Sequence, residues 1–215
     1  EPRAENISVS DGRYRFDLIA EGQQLRGLTL GMPGRHNVEN AIAAASVALR
    51  MGVPPELLRQ GLASFRGVAR RFETRITSPR VALIDDYAHH PKELDACIGS
   101  VRELYPGRKV TGIFQPHLFT RTRDLAAGFA KALALLDELI LLEIYPAREQ
   151  PIPGITSHWL LDQVPMMNKA VCTKQELPSV LRARNIEILL ALGAGDIDRL
   201  VPGIAALIEA IAKAR

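Results

Sequence analysis

The stretch Asp85-Asp86-Tyr87-Ala88-His89-His90-Pro91 puts two carboxylates, a phenol and two imidazoles directly after the apolar run 81–84. Carboxylates and imidazoles hold or accept protons near neutral pH, and packing gives no reason to crowd so many polar groups at the exit of a buried strand. A single Asp or His there would only cap the following helix, whose first position suits Pro91. Asp and His are also ligands for zinc or manganese. Adjacent side chains such as His89 and His90 diverge, however, whereas converging ligand pairs on a helix stand four residues apart. The reading is therefore no metal, with at most one of the two imidazoles turned to a ligand.

A second polar string, Phe114-Gln115-Pro116-His117-Leu118-Phe119-Thr120-Arg121-Thr122-Arg123-Asp124, follows the apolar run 109–114. Arg121 and Arg123 are placed near the amino end of the next helix, where free backbone N–H groups favour an anion and a guanidinium would hold carboxylate or phosphate in bidentate fashion. The plain alternative is a solvated arginine face with Asp124 as its partner. Arginine at a helix start opposes the macrodipole, which asks for a further reason. Gly193-Ala194-Gly195-Asp196 has two glycines of a dinucleotide turn, but Asp198 stands where the third belongs, so it supports only close backbone approach to a ligand. The string from Glu143 through Tyr145, Pro146 and Arg148 to Glu149 is equally readable as an exposed loop. In Gly34-Arg35-His36-Asn37-Val38-Glu39-Asn40, Asn37 is a good N-cap. Asn40, one turn later on the same side, could join it in reading a nucleobase edge.

These strings need elements to position them. Beyond residue 72, strand-like runs (81–84, 109–114, 139–143, 170–173, 186–192) alternate with helical ones (92–105, 124–136, 156–164, 175–184, 197–214). That alternation predicts an α/β, Rossmann-like, mostly parallel sheet with helices on both faces, and in such sheets ligands bind outside the carboxyl ends of the strands. Residues 6–30 alternate around Asp11-Gly12 and Glu21-Gly22 and predict an antiparallel meander. A helix over 37–51 and another from Pro54-Pro55 to about Ser64 follow. The arginine-rich, aperiodic stretch 65–72 reads as a linker, giving domains 1–72, a smaller α+β part, and 73–215. With 27 Lys+Arg against 24 Asp+Glu, the net charge of +3 is too small to imply nucleic acid. No apolar run reaches the ~18 residues of a membrane span. Cys97 and Cys172 lack metal or redox spacing and read as reduced thiols of a cytoplasmic protein.

Together the strings resemble the Mur ligases, the ATP-dependent enzymes that add amino acids to the peptidoglycan precursor. The matching residues run in order: Gly34-Arg35-His36-Asn37 with Asn40-Ala41, Arg70-Arg71-Phe72, Asp85-Asp86-Tyr87 with His89-His90-Pro91, Phe114-Gln115-Pro116-His117, Thr120-Arg121-Thr122-Arg123-Asp124, and Tyr145-Pro146-Ala147. The resemblance implies that 1–72 is the end of the central ATPase domain and 73–215 the complete C-terminal domain. The implied reaction joins L-alanine to UDP-N-acetylmuramate through an acyl phosphate, in the cytoplasm, with ATP and Mg2+. It also implies Asn37 and Asn40 as adenine contacts, Arg71 near the phosphates and Asp86 on the ribose side. Tyr87, His89, His117 and Arg121 would form the acceptor site, with His89, His117 and Arg121 catalytic. Arg121 would pair with the alanine carboxylate, and Arg123 stands ready to substitute. No phosphate loop of the G-x-x-x-x-G-K-[ST] kind occurs in these residues, so the piece alone is expected to fold without turning over. The family often has Gly at Ala88 and Arg at Leu118; the second departure removes an expected cation. Three other readings stay open: a ligase that recycles murein tripeptide, a noncatalytic nucleotide-binding module, and an NAD-dependent dehydrogenase resting on the Gly193-Ala194-Gly195 turn.

Overall fold

The computed structural model describes residues 1–10 and 12–214, so Asp11 of the expected Asp11-Gly12 turn lies outside the described residues. The chain divides into two compact units: Glu1–Val68 with Ser100–Pro106, and Ala69–Gly99 with Gly107–Arg215.

In the first unit, β1 (Arg3–Ser10), β2 (Arg13–Ala20) and β3 (Gln23–Thr29) form an antiparallel sheet in that order. Strand β2 alternates cleanly, burying Tyr14, Phe16, Leu18 and Ala20 while Arg13 and Arg15 stay exposed. The hairpin from Ala20 to Gln23 turns on Glu21 and Gly22, both at positive φ (49° and 72°), as a two-residue turn matched to strand twist demands. Helix α1 (Arg35–Arg50) buries Val38, Ala41, Ala45 and Leu49, and α2 (Pro55–Ser64) starts on a proline at its first position. Asn37 is not the N-cap. The helix begins two residues before it, after Gly34 at φ 105°, and Asn37 works from inside the first turn by donating its Nδ2 to the carbonyl of Pro33 at 2.6 Å.

The second unit is built on six strands: β4 (Glu73–Thr77), β5 (Ala82–Asp86), β6 (Val110–Phe114), β7 (Glu138–Leu141), β8 (Lys169–Val171) and β9 (Ile188–Leu192). Their order is β4-β5-β9-β6-β7-β8; β4 is antiparallel at the edge and the others are parallel. The helices are α3 (Pro91–Leu104), whose residues from Ser100 onward fall in the first unit, α4 (Phe119–Asp124), α5 (Ala126–Leu133), α6 (Ser157–Asp162), α7 (Leu177–Arg182) and α8 (Val201–Ala214), the last preceded by a 3-10 turn at Asp196–Arg199. Every residue of β5, β6, β7 and β9 is buried, which is why those segments read as continuous apolar runs rather than alternating ones. One face presents Leu83, Ile113, Ile140 and Leu189 to Leu177, Leu181, Ile204 and Ile208. On the helical layer that carries α5, Phe114 meets Phe129 at 5.4 Å between ring centroids.

Strand β4 is absent from the sequence expectation. Only Ile76 of Glu-Thr-Arg-Ile-Thr is buried, as befits an edge strand whose identity comes from pairing with β5 rather than from its own pattern. The long helices expected over 124–136 and 197–214 are each divided. Leu125 (φ −111°, ψ 13°) separates α4 from α5, and Leu200 separates the 3-10 turn from α8. The chain runs from β5 to β6, β7 and β8, then returns to lay β9 between β5 and β6. The carboxyl ends of β5, β9, β6 and β7 therefore share one rim, and the order reverses between β5 and β6. That is where an open α/β sheet leaves a crevice.

Candidate functional site

The turn leaving β5 is held from both sides. Asp86, 5% exposed, accepts the Phe72 N–H on Oδ2 at 2.8 Å and the Ala88 N–H on Oδ1 at 2.7 Å. Tyr87 donates its backbone N–H to the Arg70 carbonyl at 2.8 Å, so the 70–72 segment is laced to the strand end. Arg70 and Phe72 both take positive φ (60° and 50°) to make those contacts. Ala88 does not, and its methyl costs the turn no backbone strain. At the start of α3, Glu93 accepts the N–H groups of His89 (2.9 Å) and His90 (3.1 Å), the reciprocal half of a capping box. His90 Nδ1 accepts the Lys92 N–H at 3.3 Å and serves the helix, whereas the His89 ring turns to Tyr87 (5.2 Å, edge-on) and His117 (6.2 Å).

At the exit of β6, Leu118 adopts φ 71° and swings the chain into α4. The six-residue α4 is so short that Arg121, its third residue, belongs to the first turn and the last alike, and Arg123 lies just before α5 begins at Ala126. Both also fall in the last turn of α4, where the macrodipole favours cations, so the dipole of so short a helix gives Arg121 no clear preference. Arg121 Nη1 stands 3.3 Å from His117 Nδ1, and the His117 ring stacks on Tyr145 (5.6 Å, 26°). A parallel bridge between His117 and Tyr145 joins the β6 and β7 exits, with the Leu118 N–H donating to the Tyr145 carbonyl at 2.9 Å. Thr120 donates both its N–H and its hydroxyl to Glu149. Burial first, then the Arg121 cation and His89, push the His117 imidazole below its ordinary value, against a smaller opposing pull from Glu149. Arg123 stands apart: it is exposed and donates to its neighbour Asp124 at 2.7 Å.

The glycine turn after β9 approaches protein rather than leaving room for a ligand. A Cβ on Gly193 would lie 2.7 Å from the Gln115 carbonyl, and one on Gly195 would meet the Gln115 amide oxygen and the Tyr145 ring. Fully buried Gln115 donates to Asp196 (2.9 Å) and accepts the Ile197 N–H (2.9 Å). Burial raises the Asp196 carboxyl, but the Lys174 ammonium at 2.6 Å and Gln115 outweigh it and hold the group below its usual value.

Two groups that sequence reasoning left without a role stand at the centre. Asp85, 3% exposed, is pushed up to about 6, chiefly by burial and partly offset by Arg70 at 3.8 Å. The Asp85 Oδ1 and Arg70 Nε atoms have no hydrogen-bond partner. Arg70 instead donates Nη2 to the Gly193 carbonyl at 2.5 Å and reaches Asp198 at 3.6 Å. The guanidinium carbons of Arg70 and Arg71 lie 4.9 and 5.6 Å from the centroid of the Tyr87 ring. The sequence signal was the pairing of Arg70 with a polar strand exit, visible only when both are known to meet.

The structure thus brings Arg71, Asp86, Tyr87, His89, His117 and Arg121 to one rim of the second unit. Asn37 and Asn40 belong to the first unit, where Asn40 Nδ2 donates to Asn37 Oδ1 at 3.2 Å; the two amides do project together. Among the described residues no group of three His, Cys, Asp or Glu side chains could hold a metal ion, and no helix is long and apolar enough to cross a membrane. A cavity of about 520 Å³ at the ends of β7 and β8, lined by Phe119, Glu143, His158 and Cys172 among others, contains none of the expected site residues.

The family description "Mur ligase, glutamate ligase domain" matches residues 70–213. The UDP-N-acetylmuramate–L-alanine ligase of Parabacteroides distasonis is 54% identical over 198 residues, 92% of this chain and 43% of that protein. That of Porphyromonas gingivalis is 53% identical over 199 residues, 92% of this chain and 44% of that protein. The crystal structure of the UDP-N-acetylmuramate–alanine ligase from Thermotoga maritima superposes with a TM-score of 0.79 at 28% identity, covering 99% of this chain and 46% of that one. The chain spans less than half the length of each of these proteins.

Proposed function

The chain belongs to the Mur ligase family, and from that premise we propose that it is the acceptor-binding part of an ATP-dependent ligase joining L-alanine to UDP-N-acetylmuramate. Residues 73–215 are then the C-terminal domain and 1–72 the end of the central ATPase domain, working in the cytoplasm with nucleotide, amino acid and nucleotide sugar as partners. The observation that carries the reading is the convergence of His89, His117 and Arg121 at the switch point of the sheet.

In this reading the alanine carboxylate pairs with Arg121, whose Nη1 stands 3.3 Å from His117 Nδ1 and which makes no ion pair with a carboxylate among the described residues. Tyr87, His89 and His117 enclose the amino end. Arg71, exposed and held over the Tyr87 ring, faces the transferring phosphate. Asp86 acts as the anchor that fixes Tyr87 and the 70–72 segment, since both its oxygens are already taken by backbone amides. Asn40 offers its amide to adenine, held in place by Asn37, which is buried and bonded to both the Pro33 carbonyl and Asn40. ATP supplies the phosphoryl group that activates the lactyl carboxylate; the residues of this chain position the acceptor and neutralise charge. Among the described residues no cluster of three His, Cys, Asp or Glu side chains would hold Mg2+. Arg123, already paired with Asp124, is at most a substitute cation.

The test is the ligase activity of the full-length enzyme with ATP, UDP-N-acetylmuramate and L-alanine, set against murein tripeptide as the alternative acceptor-side substrate. Phosphate release that depends on L-alanine supports the reading. Dependence on tripeptide assigns the recycling activity, and no turnover with either leaves a nucleotide-binding module.

A further inference from the structure

Resting on the ligase reading, we infer that Glu93 is a positioning residue that turns His89 into the proton acceptor for the incoming amine, while Arg121 locks His117 in the opposite tautomer as a hydrogen-bond donor. Guanidinium can only donate. With Arg121 Nη1 at 3.3 Å, His117 Nδ1 must be the bare, accepting nitrogen, so its Nε2 carries the hydrogen. His89 is the reverse. Its Nδ1 lies 2.9 Å from the Tyr87 carbonyl and 3.2 Å from Glu93 Oε2, both acceptors, so Nδ1 carries the hydrogen and Nε2 keeps its lone pair.

Glu93 is itself immobilised. The same Oε2 that faces His89 Nδ1 accepts two backbone N–H groups, from His89 and His90. A carboxylate fixed in this way orients the imidazole, selects its tautomer and lies beside the positive charge that the ring gains on accepting a proton. Two imidazoles 6.2 Å apart are thereby divided in task by what holds their Nδ1 atoms, carboxylate and carbonyl in one case and guanidinium in the other.

The proton count follows. The ammonium of the amino acid gives one proton to His89 Nε2, and the neutral amine forms the C–N bond at the acyl phosphate. The C–O bond to phosphate breaks with its electron pair on the leaving oxygen. That phosphate takes the second proton of the nitrogen, and His89 returns its own to water. His117 Nε2–H donates to an oxygen of the reacting groups throughout.

Two measurements test this. Long-range ¹H–¹⁵N spectra of the 215-residue chain are expected to show His89 with a bare Nε2 and His117 with a bare Nδ1; the same tautomer on both rings overturns the assignment without any variant. In the full-length ligase, Glu93→Gln keeps an oxygen for the two backbone donors but loses the charge. We expect the kcat for L-alanine to fall roughly 10- to 100-fold, within the range of general-base contributions, with the KM for ATP unchanged. Hydroxylamine, whose nitrogen is already neutral at pH 7, should still be converted to the hydroxamate at the wild-type rate. An unchanged kcat, or an equal loss with hydroxylamine, refutes the role of Glu93. A wild-type enzyme that forms neither amide nor hydroxamate refutes the ligase reading instead.

Discussion

The turn after β5 and the turn after β6 start alike, each a polar string at the end of a fully buried strand, yet they are built on different terms. In the first, carboxylates are consumed by backbone amides: Asp86 by Phe72 and Ala88, Glu93 by His89 and His90. In the second, the backbone is strained at Leu118 and the Arg121 cation has an imidazole for company but, among the described residues, no carboxylate. In the first turn Asp86 and Glu93 are satisfied by backbone amides and hold the aromatic rings in place, while Asp85 Oδ1 stays buried without a hydrogen bond. The other leaves charge to be matched by something that arrives. A site needs both, because a ligand is recognised by unmet groups only when satisfied ones hold them still.

The largest effect that would sharpen this contrast is at the first turn. Asp86→Ala strands two N–H groups around a 5%-exposed position and is expected to destabilise the chain by about 2–5 kcal/mol. Urea unfolding of the 215-residue protein measures it, and a loss below ~1 kcal/mol would mean the carboxylate is not the anchor described.

Asp85, its neighbour, should behave in the opposite sense. Its carboxyl lies near 6 in the fold against an ordinary 3.8, so between those values the folded state holds more proton than the unfolded one. Stability from this group is present at low pH and lost as pH rises from about 4 to 6, by up to about 3 kcal/mol. His117 contributes with the other sign, losing stability as pH falls below its ordinary 6.5. Unfolding series at several pH values for wild type and Asp85→Asn separate the two, and the variant is expected to lose the fall between pH 4 and 6. An identical slope in both proteins would count against a raised Asp85.

On the open side, the proposed pairing of Arg121 with the alanine carboxylate predicts that Arg121→Ala in the full-length protein costs a charge-assisted contact of about 1.5–3 kcal/mol and raises the KM for L-alanine roughly 10- to 150-fold. The KM for ATP should stay within twofold, and a parallel rise in both would break the assignment to the alanine carboxylate. The smallest effect concerns backbone strain beside the same turn. Ala147 is exposed at φ 50°, so Ala147→Gly should stabilise the fold by about 1 kcal/mol or less, read as a small upward shift in thermal midpoint. A downward shift would show that the methyl has a packing role.

Much of the scaffold was legible because buried parallel strands leave an unmistakable mark: apolar runs such as 186–192, spaced by helical segments, and polar strings at their ends. Pro91 at the first position of α3 and Pro55 at that of α2 followed from local chemistry alone. Strand β4 was not legible, since Glu73–Thr77 lacks an apolar pattern and is a strand only because β5 offers it an edge. The breaks at Leu125 and Leu200 escaped for a related reason: helical periodicity continues across them while the backbone does not. At the rim, the polar strings that hold Tyr87, His89, His117 and Arg121 were marked by residue type and position, while the roles expected of those residues came from the family resemblance. The Arg70–Asp85 pair and the stacking of Tyr145 on His117 depend on contacts between distant segments.

The amino-acid order by itself determined which groups stand at the strand exits, because a buried run must end where polar residues begin and those residues are then at the surface. Tertiary structure alone decided what each group can do there. Nothing in the letters separates His89 from His117; a carboxylate beside one Nδ1 and a guanidinium beside the other do. Those partners reach the rings through strand order and turn geometry. The return of β9 between β5 and β6 places its own turn between the two histidine-bearing exits, and that arrangement is a property of the sheet and of no single segment.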